Sequence, residues 1–169
     1  ARLGIGAEAS RLSGTTNTIA MLAWPDGRTR PLLFDDSPVL PSAVYLRADG
    51  GLDVGRDAAR AALADPTRYE PNPKRRIDEG SLLLGTTEVP VVDAIAAVFG
   101  RVATEAQRVI GGPPDETVLT HPAAWGPARR GVLLDAARQA GVAVTGTVAE
   151  PIAAAAYFTA VLGNTVRTG

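Results

Sequence analysis

Short apolar runs with the alternating character of β-strands dominate the first part of the chain. Turn residues separate them, as at Pro25-Asp26-Gly27 and in the hairpin-like stretch 48–51. The runs that read as strands are residues 3–6, 17–24, 30–34, 42–47 and 52–55. This pattern predicts a meander of strands at the start of the chain.

The second half of the chain changes to helical spacing. Apolar residues recur every three or four positions over 92–110, and Gly111-Gly112-Pro113-Pro114 ends the run, which predicts a long helix. Further helices are predicted at 57–64, 127–140 and 151–162, further strands at 117–121 and 142–148, and an ordered loop or irregular segment at 65–80. A meander followed by alternating helices and strands favours an α/β fold with a mixed sheet flanked by helices.

Composition and charge narrow the class of protein. The chain is 46% hydrophobic and 21% charged, a balance that can fill a core. Its net charge of −1 gives no overall attraction to nucleic acid or to an anionic membrane surface. The lack of cysteine excludes disulfides, and the single histidine, His121, cannot form a histidine cluster and is expected to be packed or hydrogen-bonded. Without a membrane-length apolar run or a signal-peptide pattern, we expect a cytoplasmic location.

Three short motifs carry candidate chemistry. Gly14-Thr15-Thr16-Asn17-Thr18 lies between strand-like runs, and its N–H groups and hydroxyls suit a phosphate. Lys74-Arg75-Arg76 is a basic run, and Glu150 precedes Pro151 at a predicted helix start. Each motif also has an ordinary structural interpretation: a hairpin turn, a solvated basic loop, and an acid favoured by the helix dipole.

The order of these motifs, together with five further segments, resembles a known family. The segments include a strand followed by Pro-Ala-Ala-Trp, an Ala-Gly-hydrophobe helix end and a Glu-Pro-Ile-Ala-Ala-Ala run. They are residues 40–44, 54–58, 118–125, 135–142 and 149–157. In this order they resemble the seventy-kilodalton heat-shock chaperones of the DnaK type, over about residues 3–162.

The resemblance implies the ribonuclease-H-like fold of the actin-like ATPase superfamily. Residues 1–169 would form the first lobe of an ATPase domain, with a smaller subdomain inserted at about 37–90. The second lobe, with its own phosphate loop, and the peptide-binding domain are expected to be absent from these residues.

The resemblance also implies roles for individual residues. The first phosphate loop would be Gly14, Thr15, Thr16 and Asn17. Lys74 matches the family's catalytic lysine, which stabilises charge on the transferring phosphoryl group. Glu150 matches a glutamate that acts on metal-bound or attacking water, and Thr120 lies at a strand end that faces the nucleotide. Pro122 matches a proline that switches between nucleotide states, and Arg130 a surface arginine that couples the lobe to the other domain.

The approach to the phosphate loop departs from the family. Family members carry an aspartate there that organises hydrated Mg²⁺. This chain has Leu12 two residues before Gly14, or Gly6 if residues 3–5 form the family strand, with residues 7–13 as an enlarged hairpin tip. Glu8 is the nearby acid and a weak candidate to compensate. The metal site is therefore unassigned from the sequence.

These features predict a nucleotide-binding lobe of a chaperone-like ATPase that uses ATP/ADP and Mg²⁺. In the complete protein, hydrolysis would drive a conformational change, with peptide clients and co-chaperones as partners and a role in the stress response. The isolated chain is expected to be inactive and to self-associate through an exposed interface that normally meets the second lobe. The alternatives are a pseudo-ATPase or interaction module that keeps the fold without hydrolysis, and a sugar or acetate kinase of the same superfamily.

Overall fold

The structure is a computed structural model that describes residues 1–9 and 16–150. The predicted helix at 151–162 lies outside the described residues. The strands are β1 (Arg2–Ala9), β2 (Thr16–Ala23), β3 (Thr29–Pro31), β4 (Leu40–Pro41), β5 (Val44–Leu46), β6 (Leu52–Val54), β7 (Tyr69–Glu70), β8 (Ser81–Leu84), β9 (Thr87–Pro90), β10 (Glu116–Pro122) and β11 (Gly146–Glu150). The α-helices are α1 (Arg56–Ala61), α2 (Val91–Ile110) and α3 (Pro127–Gln139).

The main sheet is mixed, as the sequence predicts. Its order is β11-β10-β1-β2-β3, and β4 also pairs with β2. Strands β1, β10 and β11 run parallel, because α2 and α3 lie in the connections that return the chain to the same end of the sheet. Strands β1 and β2 form an antiparallel hairpin in which Ala9 pairs with Thr16.

The hydrophobic core lies between the main sheet and the two long helices. Helix α2 begins one residue before the predicted start, and its buried positions follow helical spacing through Ile95, Phe99 and Val102 to Ala106. It ends where Gly111 takes the left-handed conformation (φ 77°) that glycine adopts without strain. Helix α3 packs against α2 through the buried Leu133, Ala136 and Ala137.

Two smaller sheets lie within the range that the sequence assigns to an inserted subdomain. One has the order β6-β5-β7, and the other is the hairpin β8–β9, which the hydrophobic pattern did not reveal. The segment predicted as a loop at 65–80 contains β7 and two 3₁₀ helices, Pro66–Arg68 and Pro73–Glu79. The prolines at these helix starts set the backbone angle that a first helical turn needs.

Three strand predictions need correction. Strand β1 continues through Ala7 to Ala9, so these residues pair with β2 and do not belong to a hairpin tip. The run at 30–34 pairs only through Thr29–Pro31, and the run at 142–148 begins to pair only at Gly146. The run at 142–148 pairs late because its first residue, Val142, is buried and donates its N–H to the carbonyl of Ala137. The chain at Val142 therefore still belongs to the end of α3.

Candidate functional site

The carboxyl ends of the parallel strands meet at one edge of the main sheet, which is where α/β sheets bind ligands. Register places Pro122 at the end of β10 opposite the backbone of Glu150 at the end of β11. The start of β2 reaches the same edge, since Asn17 pairs with Glu8 beside the end of β1. Gly14 and Thr15 lie outside the described residues, as do the side chains of Glu8 and Glu150.

A cleft of about 310 Å³ opens at this edge. Strands β1 and β2 contribute Ala7 and Thr16, and the segment around the second 3₁₀ helix contributes most of the polar lining. The remaining lining residues are Asn72, Lys74, Arg75, Ile77, Asp78, Pro122, Trp125 and Arg129. The fold thus brings together three residues that the sequence predicts for the site: Thr16, Lys74 and Pro122.

Lys74 is half-buried in the cleft wall, and its ammonium nitrogen lies 5.8 Å from the ring centre of Phe99 on α2. A cation over an aromatic face is attracted by the ring quadrupole. Lys74 is also the single lysine of a chain with seventeen lysine and arginine residues in total. A chain that otherwise uses arginine thus has its one lysine in the lining of the cleft, and the composition of the sequence already carries this signal.

Asn72 is a cleft residue that the sequence presents only as a neighbour of the lysine. Its side chain is buried, with 5% exposure, and its Nδ2 donates to Thr16 Oγ1 at 2.5 Å. The backbone N–H of Asn72 donates to Glu70 Oε1 at 3.0 Å. These bonds connect the lysine segment directly to the start of β2.

Arg129, which the sequence did not single out, lines the cleft. Arg129 donates to both carboxylate oxygens of Asp78, with Nε 2.9 Å from Oδ1, and these hydrogen bonds raise the pKa of Arg129. Arg130 is half-buried, and its Nε has no hydrogen-bond partner within the part of the chain that the structure describes. Adjacent positions on a helix point about 100° apart, so only one of the two arginines faces the cleft.

Comparison with known proteins identifies chaperones that are similar in sequence to this chain. No protein-family model matches the chain. The chain is similar to the chaperone protein HscA homologs of Aromatoleum aromaticum and Acidithiobacillus ferrooxidans, each 30% identical over 93% of the chain and 28% of the relative. It is also 28% identical to the chaperone protein DnaK of Thermotoga maritima, over 86% of the chain and 25% of that protein.

The chain is a homologue of the DnaK-type heat-shock chaperones. It corresponds to the N-terminal lobe of their nucleotide-binding domain, with the α/β fold of the actin-like ATPases. It spans 28% of the length of the HscA relatives.

At Gly6, where the family carries an aspartate, the adjacent strand approaches closely. A Cβ at Gly6 would lie 3.1 Å from Thr120 Oγ1 on the adjacent β10, which is tighter than ordinary packing. Thr120 is itself buried, with 3% exposure, and is not among the residues that line the cleft. A side chain at position 6 would therefore require the Thr120 side chain to shift by a few tenths of an ångström.

Among the described side chains, the acidic residues of the cleft offer no ready metal site. In residues 1–9 and 16–150, no group of three or more His, Cys, Asp or Glu side chains could hold a metal ion. Asp78, the acid in the cleft lining, forms an ion pair with Arg129.

His121 is packed as expected, because it is buried and its Nδ1 lies 2.9 Å from the carbonyl oxygen of Pro122. Within the described helices, none is long and apolar enough to span a membrane.

Proposed function

We propose that the cleft is one half of a nucleotide site and that the complete protein is a chaperone-like ATPase. The observation that carries the proposal is that Thr16, at the exit of the predicted phosphate loop, and Lys74 line the same cleft. Arg75 and Arg129 add positive charge to its lining, which suits the phosphates of ATP or ADP. ATP hydrolysis would then be coupled to a conformational change between lobes.

Each predicted residue has a chemical task in this proposal. Backbone N–H groups and hydroxyls of Gly14, Thr15, Thr16 and Asn17 bind phosphate oxygens. Lys74 stabilises the charge that develops on the transferring phosphoryl group, as a fixed cation in a partly water-excluded site. Thr120 stays a predicted catalytic residue, although its side chain packs against Gly6.

Glu150 and the metal complete the chemistry. The Glu150 backbone lies beside Pro122 at the strand edge, and its carboxylate is proposed to orient the attacking water. Phosphate oxygens would help to hold Mg²⁺, which neutralises their charge.

The partners and location follow from the proposed family function. A second ATPase lobe would close over the cleft, with Pro122 and Arg130 transmitting the nucleotide state. Peptide clients and co-chaperones would bind the complete protein, in the cytoplasm and as part of a stress response. The uncovered lobe interface would promote self-association of the isolated chain.

The test is Mg-ATP binding and turnover by a protein in which this chain is joined to a second lobe. Lys74→Ala is expected to lower turnover about 10²–10³-fold, the effect of removing one group that stabilises transition-state charge. Thr15→Val is expected to weaken nucleotide binding. Arg138→Ala, at an exposed arginine paired with Asp135 outside the cleft, is the matched control. Normal turnover by Lys74→Ala would contradict the catalytic assignment.

A second candidate is a pseudo-ATPase or interaction module, and the crowding of Gly6 by Thr120 favours it. That protein would bind nucleotide without turnover, or would not bind it at all, while still folding. A kinase of the same superfamily would instead transfer phosphate to a small acceptor, which a phosphoryl-acceptor assay detects.

A further inference from the structure

The side chain of Asn72 forgoes the hydrogen bond that its position normally provides. Asn72 is the N-cap residue of the 3₁₀ helix Pro73–Glu79, where an asparagine oxygen ordinarily accepts from a backbone N–H of the first turn. Here the side chain makes no capping bond. It instead donates to Thr16 Oγ1, across 56 residues of sequence.

This arrangement is costly for a buried amide. Asn72 Oδ1 is buried and has no hydrogen-bond partner in the described residues. Leaving a buried acceptor unpaired costs about 1–3 kcal/mol, and a lost cap costs about 1 kcal/mol more. Within the described residues, the bond to Thr16 is therefore the hydrogen bond that orients this side chain.

The surrounding bonds make Asn72 a rigid point. Glu70 is buried, with 7% exposure, and accepts from the Asn72 backbone N–H at 3.0 Å and from Arg76 Nη1 at 2.9 Å. Hydrogen bonds to Glu79 and Glu70 also raise the pKa of Arg76, so its cation persists across the working pH range. Both ends of the lysine segment are thus held by one carboxylate.

The prolines on either side of Asn72 restrict the backbone between Asn72 and Lys74. Pro71 and Pro73 flank Asn72, and the ring of each fixes its backbone φ angle. Lys74 follows Pro73 directly, so its Cα has little freedom relative to Asn72. A change at the bond between Asn72 and Thr16 would therefore move Lys74 relative to the start of β2.

We infer that Asn72 is a positioning residue that fixes Lys74 relative to Thr16 at the exit of the phosphate loop. The inference rests on the proposed nucleotide site, in which these two residues contact the same phosphates. Asn72 itself needs no contact with the nucleotide, because it acts through the placement of its neighbours.

The first experiment reads the position of Lys74 in the free chain. Reductive methylation with ¹³C-formaldehyde labels the single lysine and the N-terminal amine, and a Lys74→Arg variant, which keeps only the N-terminal signal, identifies the lysine signal. The Phe99 ring, 5.8 Å away, displaces the methyl-lysine signal through its ring current. We expect Asn72→Ala and Thr16→Val each to abolish this displacement, and the double variant to cause no further change.

Two controls separate positioning from general damage. Thr16→Ser keeps the hydroxyl and should keep the wild-type Lys74 signal. Glu105→Gln removes a buried carboxylate on α2, away from the cleft lining, and should also leave the signal in place. Thr16→Val decides the question if Asn72→Ala fails to fold. An unchanged Lys74 signal in the folded variants would overturn the inference.

The second experiment measures Mg-ATP binding by the protein completed with its second lobe. Asn72→Ala removes the one hydrogen bond that positions Lys74. It should therefore raise the dissociation constant for Mg-ATP roughly five- to tenfold. If the wild type binds and Asn72→Ala binds equally well, the inference fails while the proposed function stands. If the wild type binds no nucleotide, the proposed function fails, and the methyl-lysine signal still decides whether Asn72 holds Lys74 in place.

Discussion

The contact between Gly6 and Thr120 gives a sharp quantitative prediction. Substituting Gly6→Ala adds a methyl group 3.1 Å from Thr120 Oγ1 and 3.7 Å from its Cγ2. Thr120 has little room to move, because it is buried and its branched Cβ restricts rotation about χ1. The neighbouring strand must therefore shift or the threonine must leave its preferred rotamer.

Two opposing contributions set the change that Gly6→Ala causes in the free energy of unfolding. Overpacking of a well-packed interior costs about 1–3 kcal/mol. Replacing a strand glycine by alanine recovers about 0.5–1 kcal/mol, since the unfolded glycine has more conformational freedom to lose. We expect Gly6→Ala to lower the free energy of unfolding by about 0.5–2 kcal/mol, equivalent to a fall in Tm of about 2–6 °C for a chain of this size.

A double-mutant cycle tests the cause by urea unfolding. In a Thr120→Ala background the obstructing atoms are gone, so Gly6→Ala should stabilise the protein by about 0.5–1 kcal/mol. The change of sign is the expected signature of a clash with the Thr120 side chain. Stabilisation by Gly6→Ala in the wild-type background would refute the reasoning.

Two further predictions concern charged groups. Hydrogen bonds from Arg108 hold the pKa of Glu105 below its ordinary 4.5, so its contribution to stability is present above pH 4.5 and is lost as pH falls through the lowered pKa. Glu105→Gln should therefore destabilise at pH 7 by about 1 kcal/mol, with the difference from wild type shrinking below pH 4.5 in urea titrations; a constant difference would contradict this. Asp78→Asn should release Arg129 from its ion pair and tighten tripolyphosphate binding about two- to fivefold, the effect of one added charge contact in an exposed cleft. The fluorescence of Trp125 would report the binding. Unchanged binding would show that Arg129 does not face the anion.

Much of the fold could be predicted from local patterns. Helix α2 was found to within one residue because its apolar spacing extends over many turns and a glycine stops it. The opening meander and the strand before Pro122 were also predicted, since short apolar runs between turns have few alternatives. The hairpin β8–β9 was missed, because four-residue strands joined by Gly85-Thr86 give too short a pattern.

The candidate site was predicted less completely. Family order placed Thr16, Lys74 and Pro122, and the structure gathers them at one cleft. Arg129 was not predicted as a cleft residue, because the resemblance assigns a role only to its neighbour Arg130, and the packing of α3 decides that Arg129 lines the cleft. Asn72 was not predicted as a site residue, because its hydrogen-bond partner Thr16 is 56 residues away in the sequence.

The sequence by itself determined the family, the alternation of strands and helices, and the basic segment that supplies the single lysine. These properties depend on residue type and on spacing within one element, so they are readable along the chain. Only the tertiary structure decided that Thr120 lies close against position 6 and that the Asn72 side chain bonds to Thr16 and not to its own helix. Both are contacts across strands or segments distant in sequence, and their distances are set by sheet register and packing.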